Sequence, residues 1–398
     1  MGYTMARARA VVIGGGIGGL AAAAGLCAAG WEVAAIERAA SLEPVGAGLG
    51  LAPNGLRALD TVGAGDELRA HAVPQEMGMR RPDGRWLIQS TTGQMVADRF
   101  GDSIILVPRA AVVDALAARV PDGVISLGTE VTVVDPGGEA PARVATAAGD
   151  LDADLVVAAD GIGSATRALL FPGHPGLRYA GFTTWRLITG PVNGPVPMAE
   201  TWGRGTIVGV MPLSDGRVYC YAAAPAAPGA RAGDELAELV RRFGTWHEPI
   251  PGLLASARPQ DVLRHDVAEL AAPLPSFARG RVALLGDAAH PMAPNLGQGA
   301  CQALEDAAVL ARLAAGTAGT GPAGPAAVHE MLARYSAARV PRTSDVVRWS
   351  RRAGMMATWT SPAAVALRDT VVRVAGKLAP NAALRGLDAV YGWQPPAA

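Results

Sequence analysis

The sequence predicts an α/β fold: a parallel-sheet domain, interleaved with a β-rich domain and followed by C-terminal helices. Three observations predict it. A short β-branched run, Ala8–Ile13, is followed by a cluster of glycines and then by an alanine-rich stretch. From about Phe182 to Val267 the chain turns strand-like and carries Trp185, Trp202, Tyr219, Tyr221 and Trp246. At Arg281–Leu285 it returns to a short, continuous apolar run, the pattern of a strand buried on both faces.

The elements follow in order. Ala8–Ile13 reads as a buried strand, Ile17–Ala29 as a helix closed by Gly30, and Val33–Ile36 as a second strand ending at Glu37, which together form one βαβ unit of Rossmann type. Arg57–Leu68 reads as helix with a break at Gly63. Met77–Arg81 and Arg85–Ile88 flank Pro82-Asp83-Gly84, a hairpin signal. Pro108 opens a helix through Val120, since proline suits a first helical turn. Val124–Val134 and Ala142–Ala147 flank a second hairpin signal, Pro136-Gly137-Gly138, and Leu155–Ala158 is an apolar strand ending at Asp160-Gly161. After Arg281–Leu285 come the loop Gly286–Gly299, a helix from Cys301, a loop over Ala315–Ala327 and a largely helical Val347–Leu387. The expected division is a discontinuous first domain over 1–75, 101–178 and 273–345, a β-sheet domain over 76–100 and 179–272, and a helical segment over 346–398.

Composition narrows the function. The 398 residues suit two domains, half of them are apolar, and the formal net charge of zero lacks the basic excess of a nucleic-acid partner. Cys27, Cys220 and Cys301 are sparse and odd in number, which fits a reducing cytoplasm better than a disulfide framework. The six histidines have no metal-ligand spacing, so no metal site is expected. Arg7 and Arg9 precede an uncharged stretch, Ala10–Trp31, that resembles an export signal or membrane span. Its early glycines split it into strand and helix, so no integral membrane association is expected.

Three motifs carry chemistry. In Gly14-x-Gly16-x-x-Gly19 the first glycine permits the tight turn, the second lets backbone approach a diphosphate, and the third lets helix pack close to strand. In a chain with 50 glycines the bare pattern is weak. Its context strengthens it: a strand before, a helix after, and Glu37 at the end of the next strand, about where an acid accepts hydrogen bonds from a ribose. The second motif, Gly286-Asp287-Ala-Ala-His290-Pro291, puts a carboxylate at the carboxyl end of a strand, where ligands of open α/β sheets bind; an ordinary capping aspartate is the competing reading. The third, Asp160-Gly161-Ile-Gly163-Ser164, also follows an apolar strand, with Ser164 as a helix cap or the whole as a simple turn.

Together these motifs resemble the flavoprotein aromatic hydroxylase family typified by para-hydroxybenzoate hydroxylase, and within it the salicylate-hydroxylase-like, single-component branch. The order Gly14–Gly19, Asp160-Gly161, Gly286-Asp287 is the family's, as are Pro294-Asn-Leu-Gly297-Gln298-Gly299, Leu304-Glu305-Asp306-Ala307 and Tyr335–Arg342. The resemblance implies that FAD is the cofactor. Gly14, Gly16 and Gly19 would cradle its diphosphate, Glu37 and Arg38 would meet the adenosine, and Arg109 would contact the phosphate and ribityl region. Asp287 would bind the ribityl chain, and Gly297, Gln298 and Gly299 would present N–H groups to the flavin ring. Asp160 and Gly161 would contact both FAD and NAD(P)H, Pro294 would lie near flavin and substrate, and His290 would be structural rather than a base.

The implied activity is monooxygenation: NADH or NADPH as co-substrate reduces FAD, O2 adds to give a C4a-hydroperoxide, and one oxygen atom passes to a small organic, aromatic substrate. No side-chain base is assigned. Substrate-pocket candidates are Trp185, Arg186, Tyr219 and Pro294; a sheet-core aromatic and a surface arginine are the competing readings for Tyr219 and Arg186. Gly205–Val210 offers no cation to clamp a carboxylate. Only one dinucleotide fingerprint is evident, so NAD(P)H would bind transiently. A flavin epoxidase or other oxidoreductase on the same fold, and a non-catalytic FAD-binding or ligand-sequestering protein, are the alternatives, and the sequence leaves monomer and homodimer open.

Overall fold

A computed structural model describes residues 7–42, 47–73, 77–90, 92–192, 194–317, 322–378 and 385–397. A six-stranded sheet runs in the spatial order Ala278–Arg279, Val282–Leu284, Leu155–Ala158, Arg9–Ile13, Glu32–Ile36, Ile125–Ser126, with an antiparallel hairpin at its first edge and parallel pairing elsewhere. Arg9–Ile13 lies centrally because valines and isoleucine fill both of its faces; Val11, Val12 and Ile13 are buried in the main core. The helix Ile17–Ala28 packs beside the helix Gly299–Ala315. Small residues set the close approach: a Cβ on Gly25 would lie 2.6 Å from that of Ala311.

Parallel register decides where the motifs go. Ile13 pairs with Ile36 and Ala158, and Ala158 with Leu284. The residues that follow these ends, Gly14, Glu37, Asp160 and Asp287, therefore emerge along one edge of the sheet, where ligands of such sheets bind.

A seven-stranded sheet, ordered Leu263–Leu270, Leu177–Ile188, Val218–Pro225, Ile207–Pro212, Met198–Trp202, Met77–Arg80, Trp86–Ser90, is antiparallel except where Met198–Trp202 meets Met77–Arg80. One face is covered by two helices the sequence reading did not anticipate, Glu235–Phe243 and Ile250–Ser256, over Trp185, Leu187, Val208 and Val210. The other face turns toward the first sheet's layer: Tyr219 abuts Gly48, and Phe182 and Val267 pack with Ala293.

Several expectations change in detail. Val124–Val134 is not one strand. It breaks at Gly128 (φ +64°) into Ile125–Ser126, in the parallel sheet, and Val131–Asp135, which pairs with Ala142–Thr146. Within 76–100, the segment Thr92–Phe100 is helical and buries Val96 in the main core rather than joining the second sheet. The helix Pro325–Ala357 runs through 345–346, where a boundary was expected. Arg57–Leu68 resolves into helices Pro53–Asp60 and Gly65–Arg69 around Gly63, as its glycine break suggested. Among the described residues no helix is long and apolar enough to cross a membrane.

Candidate active site

The site begins with a turn that only glycine can make. Gly14 has φ +108°, and a Cβ there would lie 2.4 Å from the Ala159 carbonyl oxygen. A Cβ on Gly19 would lie 1.8 Å from the Gly14 carbonyl oxygen, so strand end and helix touch backbone to backbone. A side chain on Gly16 would meet only the Arg109 guanidinium, at 3.9 Å, among the described residues. The helix Ile17–Ala28 has no side-chain cap, so its first N–H groups have no side-chain acceptor among the described residues. The Glu37 carboxylate braces this turn, accepting from the Gly15 N–H at 2.5 Å and the Ala39 N–H at 2.8 Å. A groove of about 340 Å³ runs past Gly14, Gly16, Glu37, Arg38, Thr129 and Asp160.

Asp160 serves its own loop as well: its carboxylate accepts from the Ser164 hydroxyl at 2.6 Å and the Thr166 N–H at 3.1 Å, while Ser164 caps the helix Ala165–Leu170. Arg109 heads the helix Arg109–Ala117 and presents its side chain to solvent in a concave place. Desolvation there lowers its pKa, the charge of Asp287 opposes that shift and the charge of Arg186 adds to it. Arg109 therefore lies within electrostatic reach of both Asp287 and Arg186. The Asp287 carboxylate is exposed and has no hydrogen-bond partner among the described residues.

From Asp287 the chain makes two 3₁₀ turns and enters the helix Gly299–Ala315, whose N-terminus also lacks a side-chain cap; Gly297 reaches it with φ +61°. Pro294 and Gly297 are exposed, while His290 and Ala293 are buried. A buried polar network, absent from the sequence reading as a unit, fixes both ends of this loop. Asp306 accepts from the Gly286 N–H at 2.9 Å, from His290 Nε2 at 2.6 Å and from Arg339 Nε at 2.6 Å. Glu305 pairs with Arg339 at 2.7 Å and Arg342 at 2.5 Å and accepts from Asn54 at 2.7 Å; Asn54 also donates to Gln298 Oε1 at 2.9 Å. His290 is thus a buried partner of Asp306, the structural placement. The signal for the network was available: Gln298, Gln302, Glu305 and Asp306 are polar at helical spacing along a largely apolar helix.

Of the pocket candidates, Trp185 lies apart. It donates from Nε1 to Glu235 at 2.7 Å on the helix-covered face of the sheet. Strand alternation turns its neighbour Arg186 to the opposite face, with Tyr219. Tyr219 is buried, which pushes its hydroxyl pKa up, and its ring leaves no room for a side chain at Gly48. Arg186 shares its sheet face with Tyr219, its charge reaches Tyr219 and Arg109, and Arg109 in turn feels the charge of Asp287. Two uncapped helix heads, one carboxylate and one arginine without partners, and an open approach at Gly16 fit an FAD laid along this edge.

Known proteins agree with this geometry. The family described as FAD binding domain matches residues 7–350. The chain is 36% identical over 374 residues to an aurachin C monooxygenase/isomerase of Stigmatella aurantiaca, covering 92% of this chain and 93% of the relative. It is 33% identical over 385 residues to a 2-heptyl-3-hydroxy-4(1H)-quinolone synthase of Pseudomonas aeruginosa, covering 95% and 96%. The crystal structure of Klebsiella pneumoniae HpxO complexed with FAD and uric acid superposes with a TM-score of 0.86 at 28% identity, covering 98% of this chain and 97% of that one. A Rossmann-type turn braced by an acid, a second uncapped helix head, and relatives that span nearly the whole chain lead to one conclusion: this protein belongs to the family of FAD-dependent aromatic hydroxylases and is an FAD-dependent monooxygenase.

Proposed function

We propose that this chain uses NADH or NADPH to reduce FAD and inserts one atom of O2 into a small aromatic substrate held between the seven-stranded sheet and the loop Gly286–Gly299. The observation that carries this reading is the convergence on one sheet edge of Gly14–Gly19, Glu37, Arg109, Asp287 and the helix head at Gly299. The head of Ile17–Ala28 takes the diphosphate, with Arg109 beside Gly16 neutralising it. Glu37 and Arg38 line the adenosine end, Asp287 accepts from the ribityl hydroxyls, and Gly297, Gln298 and Gly299 offer N–H groups to the pyrimidine end of the ring. Bound FAD supplies the two-electron reduction and the activation of O2. The chain's own work is to orient the substrate and keep water away: Tyr219, Met198 and Met211 form an apolar wall on the sheet face that also carries Arg186. Asp160, at the groove mouth, is the residue we assign to transient NAD(P)H contact.

Two of the relatives favour a fused nitrogen ring among the aromatic substrates, since one is named for a quinolone and the other holds uric acid. The test is anaerobic stopped-flow reduction by NADH and by NADPH, with and without candidate aromatic compounds, followed by mass spectrometry of product formed under ¹⁸O2. The reading expects flavin bleaching that a substrate accelerates and one labelled oxygen per product. Absence of bleaching with either donor, or product without label, contradicts it.

A further inference from the structure

The sheet face turned toward the cofactor layer is fixed at two points on one strand, Val218–Pro225. The Tyr219 ring abuts Gly48, where a Cβ would lie 2.4 Å from it, and Ala223 packs with Phe182 and Ala293. Tyr221 lies midway between them and shares their face by strand alternation. The pairing registers set Arg186 directly beside Tyr221 on one neighbouring strand and Gly209 on the other, with Glu200 opposite Gly209 one strand further on. A Cβ on Gly209 would lie 2.2 Å from the Tyr221 ring, so the missing side chain is what lets the tyrosine lie across that strand and reach Glu200. There its hydroxyl donates to Glu200 Oε1, while Trp202 Nε1 donates to Oε2 at 2.7 Å.

This geometry fixes a direction. A phenol has one proton to donate. With that proton held by Glu200, the Tyr221 oxygen has only lone pairs left, so it can accept from a ligand but not donate. Trp202 holds the carboxylate in place, which keeps Tyr221 from turning. On the same row Arg186 has no carboxylate partner among the described residues, and its charge reaches Arg109, Tyr219 and His265. One row thus offers an enforced acceptor and a strong donor, with an anion behind the acceptor that disfavours an aryl carboxylate at that end.

We propose that Tyr221, oriented by Glu200, is a substrate-positioning residue that accepts a hydrogen bond from a ring N–H or O–H of the aromatic substrate while Arg186 receives its conjugated oxygen. The proposal rests on the monooxygenase reading above, because it places the substrate on this face of the sheet.

The test uses the FAD-loaded enzyme and two probes, 4(1H)-quinolone and 1-methyl-4-quinolone, which differ in the ring N–H. Binding is read from the perturbation of the flavin absorbance. The wild type binds the N–H probe at least about 10-fold more tightly, as expected where a buried acceptor is left unpaired by the methylated analogue. In Y221F that ratio falls to near one while FAD content holds. E200L keeps the tyrosine but removes the acceptor of its proton, and the ratio falls there too. A purely structural role for this pair would move both probes together. Equal affinities in the wild type, no flavin perturbation by either probe, or a ratio unchanged in Y221F overturns the proposal. A chain that holds no FAD defeats the underlying reading instead, and is told apart by its lack of colour before any probe is added.

Discussion

Glu37 braces the glycine turn from the end of its strand, and in the proposed function it also lines the adenosine end of the groove. Its carboxylate holds the Gly15 and Ala39 N–H groups, and its place at the strand end follows from the βαβ register. Replacing it with alanine leaves a glycine-rich turn without its brace. Hydrogen bonds to a charged group are worth about 1.5–3 kcal/mol, so E37A is expected to weaken FAD binding about 10- to 100-fold, measured by fluorescence titration of the apoprotein. Arg339 is a different case. It is 1% exposed and pairs with two fully buried carboxylates, so R339A removes the cation they share and leaves Glu305 to Arg342 and Asp306 to His290; a stability loss of about 3–5 kcal/mol is expected in urea unfolding. Burial pushes the Asp306 carboxyl up, but the charges of His290 and Arg339 and the hydrogen bonds it accepts outweigh that, and the group sits below the usual carboxylate range. A depressed folded pKa contributes stability above the unfolded value of about 3.9 and loses it as the pH falls through the folded value. The urea midpoint of the wild type is therefore expected to drop in acid below about pH 4, and D306N to drop less steeply.

At the scale of elements, the meeting of Arg9–Ile13 with Ile17–Ala28 admits no added atom. A Cβ on Gly19 would sit 1.8 Å from the Gly14 oxygen, so G19A must push helix from strand. Overpacking of this kind costs about 1–3 kcal/mol, and here it also displaces the N–H groups that face the diphosphate; a lowered melting temperature together with reduced flavin content is expected. This unit was legible in the sequence because strand, turn and helix each had a local cause. The interruption of Val124–Val134 was not. Its β-branched run reads as one strand, but the Gly128 N–H bonds to the Ala39 oxygen and the Thr129 N–H to that of Glu37. That long-range pairing bends the chain around the end of Glu32–Ile36 and makes Thr129 a wall of the groove. The helices Glu235–Phe243 and Ile250–Ser256 were hidden in a stretch whose tryptophans and tyrosines suggested strands throughout.

For the whole molecule, the proposed function divides the work of the two sheets between cofactor and substrate, and the second sheet's two faces do different things. Trp185 illustrates the limit of sequence reading: an aromatic beside Arg186 looked like pocket lining, and only strand parity assigns it to the helix-covered side, bonded to Glu235. W185F is accordingly expected to cost about 1 kcal/mol in stability through the lost hydrogen bond while leaving the affinity for aromatic probes unchanged. The convergence of Arg109, Arg186 and Asp287 could not be derived from spacing either, since they come from three distant segments; the resemblance supplied Arg109 and Asp287, and tertiary packing supplied Arg186 as their neighbour. The central claim, that one sheet edge holds a single FAD from the head of Ile17–Ala28 to the head of Gly299–Ala315, is tested most directly by titrating the purified apoprotein with FAD and following the flavin spectrum. Saturation at one FAD per chain, with a visible spectrum shifted from that of free flavin, is the predicted result; a protein that stays colourless after dialysis against excess FAD would contradict it.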